Sequence, residues 1–196
     1  MQGRRGIALE TRRPGAVFLL ASGLVLALDQ VSKLLVRGAM HPSQSIPVIE
    51  GFFHLTYVRN TGASFGLMPG QRSLFIFTSI AMLSAIAIYW WRVRPRGLLI
   101  VTSLALVTGG AVGNLIDRVV AGRVTDMFDF LIWPVFNIAD IGIVVGAAGL
   151  FIWALFAPVD AHEPNHSKPE VEPDACAGES TGHQDAGEVE ARDGAV

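Results

Sequence analysis

Four long apolar stretches, separated by shorter polar segments, dominate the pattern of hydrophobic and polar positions along the chain. They cover residues 15–36, 73–91, 97–116 and 141–159, and only the first contains charged side chains. About 20 helical residues cross the roughly 30 Å hydrocarbon core of a bilayer. Because only an α-helix satisfies its own backbone hydrogen bonds over such a stretch in lipid, the pattern predicts an α-helical membrane protein with four transmembrane helices.

The segment between the first two spans follows a different pattern. Residues 48–66, VIEGFFHLTYVRNTGASFG, alternate apolar and aromatic residues with polar ones, which predicts one or two short strands ending in a glycine-containing turn. Strands do not lie exposed in lipid. We therefore expect a small extracytoplasmic β-strand segment between helices 1 and 2, lying on the outer membrane surface and covering a site. Residues 124–130 are interpreted as part of an outer loop.

Arginine positions predict the orientation of the spans. Arginine pairs at 4–5 and 12–13 precede the first span, and RVRPR at 92–96 links the second span to the third. Short basic segments of this kind stay on the cytoplasmic side. Both termini are then cytoplasmic, and residues 37–72 and 117–135 face outward.

The two ends of the chain differ from the apolar body. No small-x-small cleavage site follows the first apolar stretch before DQVSK, so the basic N-terminus, residues 1–14, is predicted to lead into a retained anchor and not a cleaved signal peptide. Residues 158–196 are rich in Pro, Glu, Gly, Ser and His and predict a disordered, acidic cytoplasmic tail. Residues 15–157 form the predicted membrane domain.

Composition supports the membrane assignment and removes several kinds of chemistry. Hydrophobic residues make up 51% of the chain and charged residues 16%, and the mean hydropathy is +0.45, which is typical of membrane proteins. The single cysteine, Cys176, lies in the tail, so neither an internal disulfide nor a Cys/His zinc spacing is present. No dense basic stripe outside the N-terminus favours nucleic-acid binding. We expect no metal, no cofactor and no nucleic-acid partner.

With this topology, the polar residues of the body collect at the outer leaflet. Four short sequences contain them: DQVSK at 29–33, GGAVGNLIDR at 109–118, VTDMFDF at 124–130 and FNIAD at 136–140. The residues are Asp29, Lys33, Asn114, Asp117, Arg118, Asp126, Asn137 and Asp140. Charged side chains in a membrane are costly and usually functional, so this convergence indicates a site.

Some of these residues have a structural interpretation. Asp29 and Lys33 stand four residues apart with the acid first, the favourable order for a helical ion pair, and mutual neutralisation explains both charges. Gly109 and Gly113 form a G-x-x-x-G pattern, which is typical of close helix packing.

Other residues keep two interpretations. Asn114 and Arg118 share a helix face with Asp117 beside them, and they either anchor the helix at the interface or orient groups in a site. Asn60 is either a turn residue or a donor and acceptor for a peptide backbone.

Asp126 and Asp140 are the two carboxylates that we single out as candidates for catalysis. Two carboxylates close together in a poorly solvated pocket do not ionise together, so one acts as general base and the other as general acid about a bound water. Such a pair hydrolyses an amide without a metal. The same carboxylates could bind a cation or relay protons, and the residues alone do not separate Asp126 from Asp129.

The four polar sequences, together with NTGASFG at 60–66, resemble in their order the lipoprotein signal peptidases of bacteria, also called signal peptidase II. The resemblance covers about residues 15–157. It implies an intramembrane aspartic protease of the bacterial inner membrane that removes the signal peptide from a diacylglyceryl-modified prolipoprotein, just before the lipidated cysteine. It also implies inhibition by globomycin and contact with membrane lipid. Separately from the resemblance, we expect a monomer.

The resemblance assigns roles residue by residue. The catalytic pair falls on Asp126 and Asp140, which selects Asp126 over Asp129. The positions that match substrate-binding or supporting residues are Asn60, Asn114, Arg118, Asn137, Asp29, Lys33 and Asp117. This chain has Val124-Thr125-Asp126-Met127 where family members often have Val-Val-Asp-Phe, a difference that bears on the shape of the pocket.

Two other classes of protein remain as alternatives. A small ion or proton-coupled carrier would use Asp29, Asp126 and Asp140, but it predicts polar residues through the membrane depth, and spans two and four contain few. A membrane scaffold predicts that Asp126→Asn or Asp140→Asn leaves function intact, because asparagine keeps the size of aspartate and much of its hydrogen bonding.

Overall fold

Four helices and three strands form the computed structural model, which describes residues 11–62 and 71–156. In chain order they are α1 (Pro14–Ala39), β1 (Ser45–Ile49), β2 (Phe53–Asn60), α2 (Arg72–Val93), α3 (Leu98–Val120), β3 (Val124–Asp129) and α4 (Ile138–Phe156). All four helices are long and apolar enough to cross a membrane. The predicted fold class, four apolar helices with a small strand segment, is confirmed.

The helix boundaries differ from the predicted spans where polar residues lie. Helix α3 continues to Val120, beyond the predicted apolar stretch 97–116, and Asp117 and Arg118 lie on its last turn. Helix α4 begins at Ile138, three residues before the predicted start, so that Asp140 lies within its first turn. Polar side chains ended the apolar pattern early, whereas in the folded chain they have partners that let the helix continue.

Helix α3 is the centre of the bundle. It packs against each of the other three helices, and glycines allow the closest approaches. A Cβ on Gly109 would lie 2.5 Å from the backbone oxygen of Ser22 on α1, and a Cβ on Gly146 of α4 would lie 2.7 Å from the oxygen of Ser103 on α3. The close packing predicted for the G-x-x-x-G pattern is therefore present, and it extends to α4.

The sheet contains more than the segment between α1 and α2. Strands β1 and β2 pair antiparallel around a turn at Gly51, which has a φ of 71°, and β3 pairs antiparallel with the other edge of β2. The interpretation of residues 124–130 as a loop was wrong for this reason. Partner strand β2 lies far away in sequence, so local pattern does not reveal the pairing.

A small apolar cluster joins the sheet to the helices. Val36 and Met40 at the end of α1 pack with Tyr57 of β2 and Met127 of β3. This cluster fixes the height of β3 relative to α1. The predictions for residues 1–10, for most of the NTGASFG turn and for the tail concern residues outside the described ranges.

Candidate active site

Asp126 lies in the middle of β3 and is 2% exposed. Its Oδ2 accepts a hydrogen bond of 2.9 Å from Nδ2 of Asn60, and its Oδ1 accepts one of 2.6 Å from Nδ2 of Asn137. Val58 is the direct partner of Asp126 across the β2–β3 ladder, and Asn60 is the diagonal neighbour on the same face. Strand register therefore brings the first of these amides to the carboxylate.

Asp140 is held by the start of α4. Asn137 precedes the helix, and its Oδ1 accepts a hydrogen bond of 3.0 Å from the backbone N–H of Asp140. The Asp140 carboxylate in turn accepts one of 3.2 Å from the backbone N–H of Asn137. This reciprocal pair is a capping box with asparagine in the capping position. It fixes the Asp140 side chain at a helix N-terminus, where the macrodipole stabilises a negative charge.

Asn114 connects the two carboxylates. Its Nδ2 donates to Oδ1 of Asp140 at 2.8 Å, and its Oδ1 accepts from Nδ2 of Asn137 at 3.2 Å. Nζ of Lys33 donates to the same Oδ1 at 3.1 Å. Because a cation holds its oxygen, the Asn114 amide presents its NH₂ group to Asp140. A chain of side-chain amides thus runs from Asp126 through Asn137 and Asn114 to Asp140.

The predicted ion pair between Asp29 and Lys33 is present, with 2.8 Å between Nζ and Oδ2, and both side chains are fully buried. It does more than neutralise two charges. Oδ1 of Asp29 accepts a hydrogen bond of 3.0 Å from the backbone N–H of Ala139 in the first turn of α4. A Cβ on Gly113 would lie 2.5 Å from Oδ2 of Asp29. The carboxylate of Asp29 therefore packs against Gly113 of α3 and ties α1 to the first turn of α4 by a hydrogen bond.

Asp117 lies beside this network and is 1% exposed. Its Oδ2 lies 3.1 Å from Nζ of Lys33 and accepts a hydrogen bond of 3.2 Å from the backbone N–H of Thr125. Since Thr125 precedes Asp126, Asp117 helps to position the strand that holds the buried aspartate.

Sequence reasoning missed Arg37, which completes this arrangement. Its Nη2 lies 2.6 Å from Oδ1 of Asp117, and its Nε donates to Oγ1 of Thr125 at 2.8 Å. The available signal was its spacing, since Arg37 stands four residues after Lys33 on the same helix face. Thr125 directly precedes Asp126 on β3. Its hydroxyl has a specific partner here.

Arg118 lies outside the network of side-chain hydrogen bonds that joins the other predicted site residues. Its Nη1 donates to the backbone oxygen of Asn114 at 3.3 Å, and its guanidinium lies 5.1 Å from the centroid of the Phe75 ring on α2. Within the described ranges it hydrogen-bonds neither Asp126 nor Asp140. Its half-exposed position at the edge of the site is suited to contact with a bound molecule.

Asp129 points to a different environment from Asp126. Its carboxylate accepts hydrogen bonds from Oγ1 of Thr56 at 2.8 Å and from the backbone N–H of Leu131 at 2.9 Å. Residues three apart on a strand face opposite sides of the sheet. Geometry therefore separates the two aspartates that the residue pattern left equivalent.

The pKa of Asp126 is raised to about 6, because burial and, to a smaller extent, the negative charge of Asp140 disfavour the ionised carboxylate. The hydrogen bonds from Asn60 and Asn137 and the charge of Lys33 oppose these effects by favouring the ionised form. Burial is the largest of these influences. A carboxyl group with its pKa raised in this way is suited to acid and base catalysis.

An open groove of about 400 Å³ leads to Asp140. Its walls are mostly apolar and include Phe136, Ile141 and Val144. Asp140 and Asn60 are half-buried, whereas Asp126 is buried, so the site opens on the Asp140 side. Within residues 11–62 and 71–156, no three His, Cys, Asp or Glu side chains come together in a group that could hold a metal ion.

Comparison with known proteins gives a consistent set of relatives. The family model described as Signal peptidase (SPase) II matches residues 21–156. The lipoprotein signal peptidase of Halothermothrix orenii is 50% identical over 130 residues, covering 66% of this chain and 89% of the relative. That of Moorella thermoacetica is 46% identical over 141 residues, covering 72% and 93%.

Solved structures agree with these relatives. Two structures of bacterial membrane enzymes align with TM-scores of 0.69 and 0.67, at 31% and 29% sequence identity. The alignments cover 76% and 78% of this chain, and 93% and 99% of those chains.

Proposed function

The chain belongs to the signal peptidase II family, and on that premise we propose that Asp126 and Asp140 are the catalytic pair of an aspartic endopeptidase. Family membership makes the chain a multi-pass membrane protease that removes signal peptides from prolipoproteins. The proposal adds the mechanism and the bond that is cut, which lies just before the lipidated cysteine of a diacylglyceryl-modified substrate.

The observation that supports this mechanism most strongly is the amide chain between the two carboxylates. Asn137 and Asn114 link Asp126 to Asp140 through hydrogen bonds of 2.6, 3.2 and 2.8 Å. Such a chain holds two acidic groups at a constant separation without neutralising either. A structural ion pair would instead place a cation directly between them.

The two environments suggest different roles. Asp140 lies in the first turn of α4 on the open side of the site, and it acts as the base that takes a proton from water. Asp126 is buried and holds its proton more readily, so it donates that proton to the departing amide nitrogen. Water oxygen forms the new bond to the carbonyl carbon, and the C–N bond breaks as the nitrogen is protonated.

The apolar groove beside Asp140 suits a substrate that arrives through lipid. Asp140 lies at the first turn of α4, and Asn114 lies near the last turn of α3, so the site is at one end of the bundle. In the proposed orientation this end is extracytoplasmic and both termini are cytoplasmic. A lipidated cysteine anchored in the outer leaflet then presents its scissile bond at the depth of Asp140. We also propose that the enzyme acts as a monomer and that globomycin-type inhibitors bind this site.

The decisive experiment measures cleavage of a purified diacylglyceryl-modified prolipoprotein by the detergent-solubilised protein. Asp126→Asn and Asp140→Asn are compared with Asp129→Asn, a matched control that removes the same charge from the same strand. We expect each catalytic substitution to lower kcat by roughly a hundredfold or more and Asp129→Asn to retain activity. A chelator is expected to leave the wild-type rate unchanged, and globomycin to abolish it.

The position of the cut is read by mass spectrometry of the product. Retained cleavage in either folded catalytic variant contradicts the aspartic mechanism and favours a scaffold role for these residues. Loss of cleavage with the chelator favours a metal enzyme. A well-folded wild type that leaves the substrate intact overturns the proposal and returns the carrier to consideration.

A further inference from the structure

Five arginines collect at the end of the bundle opposite the aspartates. The arginine cluster consists of Arg12, Arg13, Arg92, Arg94 and Arg96, and all five side chains are exposed. Helix α1 begins at Pro14, α2 ends at Val93 and α3 begins at Leu98, so the cluster surrounds three helix termini. The reaction proposed above uses none of these residues.

The structure describes no counter-charge for the arginine cluster. The described acidic residues are Asp29, Glu50, Asp117, Asp126, Asp129 and Asp140. They lie in the sheet, in its turns or in the halves of the helices next to it. Neither α1 nor α3 has an acidic residue in its first turn. No guanidinium of the cluster makes a hydrogen bond or an ion pair with another described residue. Five positive charges in close proximity repel one another, and a bound anion lowers that repulsion.

Two adjoining cavities lie within the cluster. The backbone N–H of Thr11 donates to the backbone oxygen of Arg96 at 2.9 Å and joins the N-terminal segment to the α2–α3 connection. A cavity of about 400 Å³ lies between Thr11, Arg12, Pro14 and Arg96, and a second of about 350 Å³ shares Pro14 and Arg96 with the first. Three arginines of the cluster, Arg12, Arg94 and Arg96, therefore line open spaces that can accept a molecule.

The second cavity has the chemistry of a membrane interface. Its walls include Trp90, Trp91 and Arg94, and tryptophan is enriched where headgroups meet hydrocarbon. Guanidinium groups bind phosphate oxygens through two parallel hydrogen bonds. The two cavities together offer positive charge for a phosphate and indole surface for the glycerol and upper acyl region beneath it.

Arg94 adds a backbone observation. It ends α2 in the left-handed conformation, with a φ of 50°, and its N–H donates to the oxygen of Trp90 at 3.0 Å. Glycine usually occupies this capping position because it has no Cβ. An arginine that keeps an unfavourable backbone conformation at the wall of a cavity is a candidate for function.

We infer that the arginine cluster binds the phosphate headgroup of an anionic phospholipid in the leaflet next to this end of the bundle. Basic pockets between transmembrane helices are known to select such headgroups. The anion offsets the mutual repulsion of the arginines and holds the N-terminal segment against the α2–α3 connection. The inference depends on neither the catalytic mechanism nor the cleavage reaction.

The test uses the full-length protein in nanodiscs of phosphatidylcholine, to which phosphatidylglycerol is added in steps. Binding is followed by native mass spectrometry, which identifies the lipids that remain on the protein after it is released from the nanodisc. The variant Arg94→Gln/Arg96→Gln removes two charges of the cluster, and Arg94→Lys/Arg96→Lys retains them. The matched control, Arg123→Gln, removes an exposed arginine near the start of β3, at the other end of the bundle.

We expect phosphatidylglycerol to be retained over phosphatidylcholine. Each glutamine substitution is expected to weaken retention about fivefold, as for other basic residues at a membrane surface. The lysine variant keeps most of the preference, and Arg123→Gln keeps all of it. Equal retention by wild type and the glutamine variant overturns the inference, as does an equal loss in Arg123→Gln. If inorganic phosphate at micromolar concentration displaces phosphatidylglycerol from the protein in the mixed nanodiscs, the site binds free phosphate and the lipid inference is wrong.

Discussion

At the scale of single residues, the candidate site depends on which way each asparagine points. Oδ1 of Asn60 accepts a hydrogen bond from the backbone N–H of Gly62 at 3.0 Å, and Oδ1 of Asn137 accepts one from the N–H of Asp140. Lys33 holds Oδ1 of Asn114 in the same way. Because each oxygen already has a donor, every NH₂ group faces a carboxylate. Aspartate at these positions would place like charges together, which explains the use of amides.

The raised pKa of Asp126 leads to a pH prediction. The proposed acid works only while protonated, so kcat/KM is expected to fall as the pH rises through about 6. Asn60→Leu removes a donor that favours the ionised carboxylate while keeping the site buried, and therefore raises the pKa of Asp126 further. The fall in kcat/KM then moves to higher pH. A pH–rate profile with the same alkaline limb in both proteins contradicts this role.

Arg37 and Thr125 are expected to act as a unit. We predict that Arg37→Met and Thr125→Val are coupled by about 1–2 kcal/mol in a double-mutant cycle, because the Nε–Oγ1 hydrogen bond of 2.8 Å is lost in either single variant. The free energy of unfolding is measured in mixed detergent with increasing dodecyl sulfate. Thr56→Val is the control, since its hydroxyl donates to Asp129 instead. Coupling of Arg37 to both threonines would mean a general loss of stability.

At the scale of helices and strands, small residues determine how closely the site can assemble. Glycines of α3 and α4 face backbone atoms of neighbouring helices at distances that no side chain would allow. Their spacing lets Asp29 of α1 reach the N-terminus of α4 past Gly113. Strand β3 completes the arrangement by adding to the free edge of β2. The site is therefore built where three helices meet the paired strands β2 and β3.

A pair of glycine substitutions tests this packing. Gly146→Ala places a Cβ 2.7 Å from the backbone oxygen of Ser103, and we expect a loss of about 1–3 kcal/mol in unfolding free energy as the α3–α4 contact opens. Gly23→Ala adds the same methyl group to α1 where nothing lies within 4 Å. It is expected to be neutral or slightly stabilising. Equal effects of the two substitutions, measured by dodecyl sulfate titration, would refute the packing argument.

At the scale of the whole molecule, charge is divided between the two ends of the bundle. Buried charged and amide side chains occupy the end that carries the sheet, and the arginine cluster occupies the other. Between them, the outer faces of α1, α2 and α4 expose large apolar side chains, as lipid contact requires. This division predicts a direction in a membrane, with the arginine cluster expected on the cytoplasmic side.

Orientation is tested with a thiol reagent that does not cross membranes. Cys176 is the only cysteine, and in the predicted topology it reacts only after spheroplasts are permeabilised. A Glu50→Cys/Cys176→Ser variant places the single thiol at the exposed turn between β1 and β2, where we expect it to react in intact spheroplasts. The opposite pattern of labelling would reverse the topology.

The sequence by itself determined the four helices, the strand character of the segment after α1, and the identity of most candidate residues. A long uninterrupted apolar stretch crosses lipid as an α-helix, because the helix satisfies its own backbone hydrogen bonds. Charged residues in a membrane are costly, so the few in the body of the chain mark candidate functional positions. The resemblance to a known family then selected Asp126 over Asp129, which the residue pattern alone left open.

Only the tertiary structure decided how those residues are connected. Strand β3 depends on pairing with β2 across more than sixty residues of chain, and the roles of Asn137 and Asp29 depend on where α4 begins. Arg37 became part of the site through contacts with α3 and β3. Hydrophobic periodicity records which face of a segment is buried, but the partner of a polar group is set by distances that arise when distant segments pack together.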